Sequence, residues 1–305
     1  MKGREHHFAP RPDAELRQIL DRFLAATDPA PLVARDPVSL VRRYEDPADQ
    51  EVAGLVVSAL AYGRASSILT KAGEVLAALG PSPAEGVLEV RRRARLSGFV
   101  YRFQHGEDLP RFLASIAAVR TEAGSLASAF GSGVDAADPD YAPAIARFSA
   151  RLRAAVPGRR LSPGLRFLLP GADGKGASKR PCLYLRWMVR GPDGVDPGAF
   201  TRLEPGRFAP SALVIPLDTH IERIGRYIGL TDRRSGGLEM AREITARLRR
   251  LRPEDPLAYD LALCHLGIAG SCPRRRDLLL CRGCPIRGVC RLGPPPEGWP
   301  DAPLA

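Results

Sequence analysis

Four cysteines fall within nineteen residues, spaced Cys272-x8-Cys281-x2-Cys284-x5-Cys290, in a stretch dominated by Arg, Pro and Gly. Such a segment has too few apolar side chains to close over itself, so something other than a hydrophobic core must hold it. Four thiolates around one metal centre would do so. An iron–sulfur cluster and a zinc ion both accept four thiolates. Structural zinc sites usually pair two short Cys knuckles, and this stretch has one Cys-x-x-Cys. The spacing therefore favours iron–sulfur, with zinc as the alternative and unligated thiols as the remaining case. Cys182 and Cys264 sit inside apolar helical patterns and read as core residues.

The rest of the composition bounds the class of protein. A chain of 305 residues, 45% hydrophobic and 26% charged, is expected to fold around one extended core or two smaller ones. Lys and Arg outnumber Asp and Glu by 45 to 34, a formal charge of +11, and the basic runs Arg91–Arg95, Arg247–Arg252 and Arg274–Arg276 are spread along the chain. That balance suits a polyanionic partner, nucleic acid ahead of a membrane surface. The first residues lack the apolar core of a signal peptide, and no stretch of ~18 apolar residues occurs, so the expectation is a cytoplasmic protein. In a reducing compartment, crowded cysteines do not form a disulfide framework, which strengthens the metal reading.

Hydrophobic spacing is helical throughout. Val52, Leu55, Val56, Ala59 and Leu60 form one stripe, and Ile68, Leu69, Ala72, Val75, Leu76 and Leu79 form another that Gly80-Pro81 stops. Further helices are expected near 109–129, 141–155, 179–189, 218–229, 237–251 and 256–268. Irregular joints are expected at 130–140, 157–178 and 191–212, and disordered ends at 1–14 and 291–305. The expectation is an all-α protein of roughly ten helices.

In Ile215-Pro216-Leu217-Asp218-Thr219-His220-Ile221-Glu222-Arg223-Ile224, the apolar face Ile221, Ile224, Ile228 places Asp218 at the start of a helix. Unpaired amides and the helix dipole favour a carboxylate there, and taken alone Asp218 reads as an N-cap. Pro216-Leu217-Asp218-Thr219-His220-Ile221 followed by Cys264-His265-Leu266-Gly267 and the four-cysteine loop resembles the helix-hairpin-helix base-excision DNA glycosylases, above all those like endonuclease three. Val56-Val57-Ser58-Ala59-Leu60-Ala61-Tyr62-Gly63 is similar to the helix leading into that family's base pocket. The whole chain looks like a bacterial family of uncharacterised proteins set beside these enzymes. The resemblance implies a two-lobed all-α fold: a helical barrel over 50–200, and a second lobe of 15–49 with 201–290 that carries a [4Fe–4S] cluster on Cys272, Cys281, Cys284 and Cys290. It implies Asp218 as the catalytic carboxylate.

The resemblance also implies an amine near the hairpin, able to form a Schiff base at a sugar. Lys179 takes that place in Gly174-Lys175-Gly176-Ala177-Ser178-Lys179-Arg180, with Lys175 as the second choice. The hairpin departs from the family's Leu-Pro-Gly-x-Gly, reading Leu169-Pro170-Gly171-Ala172-Asp173-Gly174. The span from Lys179 to Asp218 is lengthened by Gly191–Pro210, which either loops out or breaks the lysine correspondence. Gly174, Lys175, Gly176, Arg180, Arg274, Arg275, Arg276 and Arg287 are the expected DNA-contacting residues. Tyr62, Arg64, Tyr184 and Trp187 are the expected base pocket. The partner so implied is double-stranded DNA with a damaged or mispaired base, bound by a monomer near the nucleoid. The activity so implied is base excision, with abasic-site lyase activity where Lys179 acts. The alternative is a non-catalytic iron–sulfur protein that binds nucleic acid on the same fold.

Overall fold

In a computed structural model of the chain, residues 11–158, 160–170, 176, 178–275 and 277–292 are described. Their named elements are all helical, and among them the β pairing is an isolated bridge between Tyr101 and Gln104. The first helices are α1 Asp13–Ala25, α2 Pro29–Arg35, α3 Val38–Val41, α4 Pro47–Ala59, α5 Ala65–Leu79, α6 Pro83–Gly86 and α7 Val90–Ala94. There follow α8 Asp108–Ala123, α9 Leu126–Gly131, α10 Ala142–Ala154, α11 Pro163–Leu168, α12 Lys179–Val189 and α13 Ala199–Leu203. The last are α14 Thr219–Tyr227, α15 Leu238–Leu251, α16 Asp260–Ile268 and α17 Leu278–Arg282. The long stripes expected from periodicity are present. Many four- to seven-residue helices are additional, because one turn is too short to show a period. The run expected at 109–129 is two helices, parted by Gly124 at φ +83 and restarted by Ser125, whose hydroxyl caps the amide of Ser128.

The chain divides into two compact units. Unit 1 takes Met1–Leu32, Lys175–Lys179 and Ile215–Ala305; unit 2 takes Val33–Gly174 and Arg180–Val214. The boundaries therefore differ from those expected at 50 and 200. The reason is packing: α3 and α13 both lie on α4 and belong with it.

In unit 2, α4 is buried along nearly all its length, with Asp46 capping Ala48 and Pro47 opening its first turn. Gly54 lets it approach α12, since a Cβ there would sit 2.6 Å from Met188 Cε. Trp187, Tyr184, Phe112, Phe130 and Phe200 are completely buried, each side chain contributing about 1.5–3 kcal/mol or more of hydrophobic stabilisation. The insertion at 191–210 is built into this core. Phe200 and Phe208 pack their rings at a tilt against Phe130, and Asp196 is wholly buried between Arg186 and Arg190. Burial pushes the Asp196 carboxyl up while the two guanidinium groups oppose that shift.

In unit 1, α1 buries Leu16, Leu20 and Phe23 on one face and packs on α15. Asp13 binds Arg247 and Arg250, each at 2.8 Å, so the chain is ordered helix from Asp13 onward where a disordered start was expected. At the other end Arg291, expected in a disordered tail, is buried and paired with Asp232. Residues 1–10 and 293–305 lie outside the described residues.

Candidate active site and cysteine loop

Ile215-Pro216-Leu217 runs extended into α14 and is held by α15, where Thr245 Oγ1 accepts the Ile215 amide at 3.0 Å and donates to Ala241 O at 2.7 Å. The next residue, Asp218, leaves the helical region at φ −112, ψ 178 and is the N-cap of α14. Its Oδ1 accepts the amides of His220 and Ile221, both at 2.8 Å. The cap is therefore one oxygen deep. Oδ2 points elsewhere, accepting the Cys264 thiol at 3.3 Å and facing Lys179 Nζ at 3.9 Å.

Lys179 is the first residue of α12, and Ser178 before it sits at φ +45, a conformation that costs a non-glycine residue of the order of 1 kcal/mol. The Asp218 side chain is 13% exposed and that of Lys179 is 39% exposed, so the pair is open to a ligand on the lysine side. The lengthened span between them does not prevent the meeting, because the insertion folds within unit 2.

Close packing of α14 and α16 brings Cys264 to this pair. Gly267 makes it possible, since a methyl at that position would lie 2.6 Å from His220 Nδ1 and 2.7 Å from its Cβ. Cys264 and Gly267, three apart on α16, share one face. Sequence reasoning placed Cys264 in the core; the structure leaves it half-buried against Asp218. The available signal was the helical glycine one turn after the cysteine.

Arg223, also on α14, carries the site into the cysteine loop. Its Nη2 donates to Cys272 O at 2.7 Å, and its buried Nε has no hydrogen-bond partner among the described residues. Asp277 caps α17 through the amides of Leu279 and Leu280, and Ile286 and Val289 are the loop's buried apolar residues. Burial pushes the Cys284 thiol up to about 12, and the thiols of Cys272, Cys290 and Cys281 add to the shift. Cys272 is also raised by burial, with Arg223 opposing. Among the described residues, no three His, Cys, Asp or Glu side chains are drawn into ligating geometry. The residue types suit a soft metal centre: four thiols in one segment, with the unpartnered Nε of Arg223 beside Cys272.

The remaining expected site residues are scattered. Gly176, Arg274 and Arg275 are exposed and Arg287 is half-buried, whereas Gly174, Lys175 and Arg276 lie outside the described residues, as does most of the hairpin-like segment. Arg180 is a brace within unit 2. It donates to Ala59 O at 2.7 Å and to Phe167 O and lies 4.2 Å over the Phe167 ring, and burial lowers its pKa to about 10. That guanidinium is committed to carbonyls and not turned to solvent. Tyr184 and Trp187 are core residues. Arg64 is exposed at the start of α5. Tyr62 is half-buried in an aromatic group with Tyr101 at 4.8 Å and Phe167 at 4.9 Å, edged by Phe103, which is 54% exposed. Gln104, fully buried, accepts the Tyr62 hydroxyl and donates to Gly164 O.

A family model described as a protein of unknown function, DUF2400, matches residues 36–269, which include Lys179, Asp218 and Cys264 and stop short of Cys272. No curated protein and no solved structure matches the chain. Among the described residues no helix is long and apolar enough to cross a membrane.

Proposed function

The chain belongs to the DUF2400 family of proteins of unknown function, and we propose that it is a DNA N-glycosylase with abasic-site lyase activity, acting through Lys179 and Asp218. One observation carries this reading: a carboxylate and an amine 39 positions apart in sequence meet at 3.9 Å at a helix N-terminus, with the amine side open. An amine attacking a sugar carbon must first lose a proton, and a carboxylate beside it can take that proton. In the proposed reaction Asp218 Oδ2 receives a proton from Lys179 Nζ. The amine then bonds to C1′ as the C1′–base bond breaks and the base leaves with the bonding pair. Asp218, its Oδ1 fixed by the amides of His220 and Ile221, keeps that proton away from the amine while the new bond forms.

The cysteine loop would hold a [4Fe–4S] cluster on Cys272, Cys281, Cys284 and Cys290, zinc being the alternative. Bound there, such a cluster supplies a rigid crosslink for a loop with few apolar residues. Arg274 and Arg275 on that loop would contact phosphates of duplex DNA, giving affinity without sequence preference.

The test is borohydride trapping on a duplex oligonucleotide bearing an abasic site, followed by a panel of damaged bases. A covalent adduct lost in Lys179→Ala and strongly reduced in Asp218→Asn is the expected result. Full base release by Asp218→Asn removes that residue from the mechanism. Duplex binding without any adduct or base release would make the chain the non-catalytic DNA-binding protein of the same fold.

A further inference from the structure

The two oxygens of Asp218 have different surroundings. Oδ1 is saturated by the His220 and Ile221 amides, whereas Oδ2 has the Cys264 thiol at 3.3 Å and the Lys179 ammonium at 3.9 Å. A thiol beside a carboxylate can donate a hydrogen bond to it or surrender a proton to it. Here the S–H donates and the carboxylate oxygen accepts. A thiol is a weak donor, so it orients the oxygen without drawing off its basicity as an amide or hydroxyl would.

We propose that Cys264 is a positioning residue, holding Asp218 Oδ2 toward the Lys179 amine through its S–H, and that its own reactivity is set by that carboxylate and that ammonium. The proposal rests on the site reading above for its role in catalysis, but the contact itself can be tested without any substrate. Gly267 is part of the same device: the close helix approach it permits delivers the sulfur to the carboxylate. Among expected consequences, a blocked Cys264 places a substituent beside Oδ2 and separates it from Lys179.

The test is alkylation of the intact protein by iodoacetamide across neutral to alkaline pH, with Cys264 followed by peptide mass spectrometry. In the reaction the thiolate forms an S–C bond as iodide leaves, so the rate reports the thiolate fraction. In Asp218→Asn, loss of the adjacent negative charge raises the rate below the plateau by about tenfold or more. In Lys179→Ala, loss of the positive charge lowers it. A Cys264 rate indifferent to both substitutions, with the protein still folded by circular dichroism, overturns the proposal. Adduct trapping on the abasic duplex adds the functional arm: Cys264→Ser retains the adduct, and Cys264→Ala loses about tenfold with a displaced pH profile. A coupled alkylation rate with neither adduct nor base release in the unaltered protein upholds the contact and sinks the glycosylase reading. An adduct as strong in Cys264→Ala as in the unaltered protein, with an unmoved profile, removes the positioning role.

Discussion

Gly73 and Gly267 both lie inside helices, and replacing each by Ala is expected to change stability in opposite directions. In a helix interior the change gains about 1 kcal/mol, because Ala loses less backbone entropy than Gly on folding. At Gly73 in α5 nothing lies within 4 Å of the added methyl, so that gain should appear nearly whole. At Gly267 in α16 the methyl meets His220 at 2.6, 2.7 and 2.9 Å, through Nδ1, Cβ and Cγ. Ordinary contact needs almost an ångström more, and the Cβ cannot swing away as a side-chain tip could. Forcing packed elements apart costs about 1–3 kcal/mol, which outweighs the propensity gain and leaves a net loss of up to about 2 kcal/mol. Urea unfolding of the two single variants measures both. Separation of α14 from α16 should also lengthen the Cys264 to Asp218 distance, so Gly267→Ala should share the faster Cys264 alkylation of Asp218→Asn. If Gly267→Ala is as stabilising as Gly73→Ala, the close approach of α14 and α16 described above is wrong.

The buried Glu51 of α4 accepts the Ala127 amide at 2.9 Å and faces Arg120 at 3.5 Å, yet burial pushes its pKa from 4.5 to about 7. The folded state therefore holds a proton that the unfolded state has released between those values, and stability falls as pH rises through that window. Glu51→Gln does not ionise, so its advantage over the unaltered protein should grow by roughly 3 kcal/mol from pH 4 to pH 8; parallel curves would refute this. Replacing any of Cys272, Cys281, Cys284 or Cys290 by Ser should lower bound iron and acid-labile sulfide, as measured in purified protein; equal zinc loss with no iron in the parent would identify the other metal. Arg274→Ala with Arg275→Ala should weaken duplex binding uniformly across sequences, with the salt slope reduced by about one for each phosphate no longer neutralised.

The sequence by itself determined the helical class, because apolar residues at i, i+3, i+4 and i+7 can share a face only on a helix. It also determined the Asp218 cap, a local matter of a short carboxylate before an apolar stripe. It marked the cysteine loop, since four thiols in a segment without a core require an explanation of their own. What it could not decide depends on distance across the fold. Residues 191–210 read as a loose insertion, but the burial of Phe200 and Phe208 beside Phe130 made them part of the core. Arg180 read as a phosphate-binding residue until two backbone carbonyls and an aromatic ring claimed its guanidinium. Cys264 read as core because its neighbours in sequence are apolar. Only the packing of α16 on α14, permitted where Gly267 has no side chain, turned its sulfur to Asp218. The meeting of Lys179 with that carboxylate is likewise tertiary, since no local rule ties residues 39 positions apart.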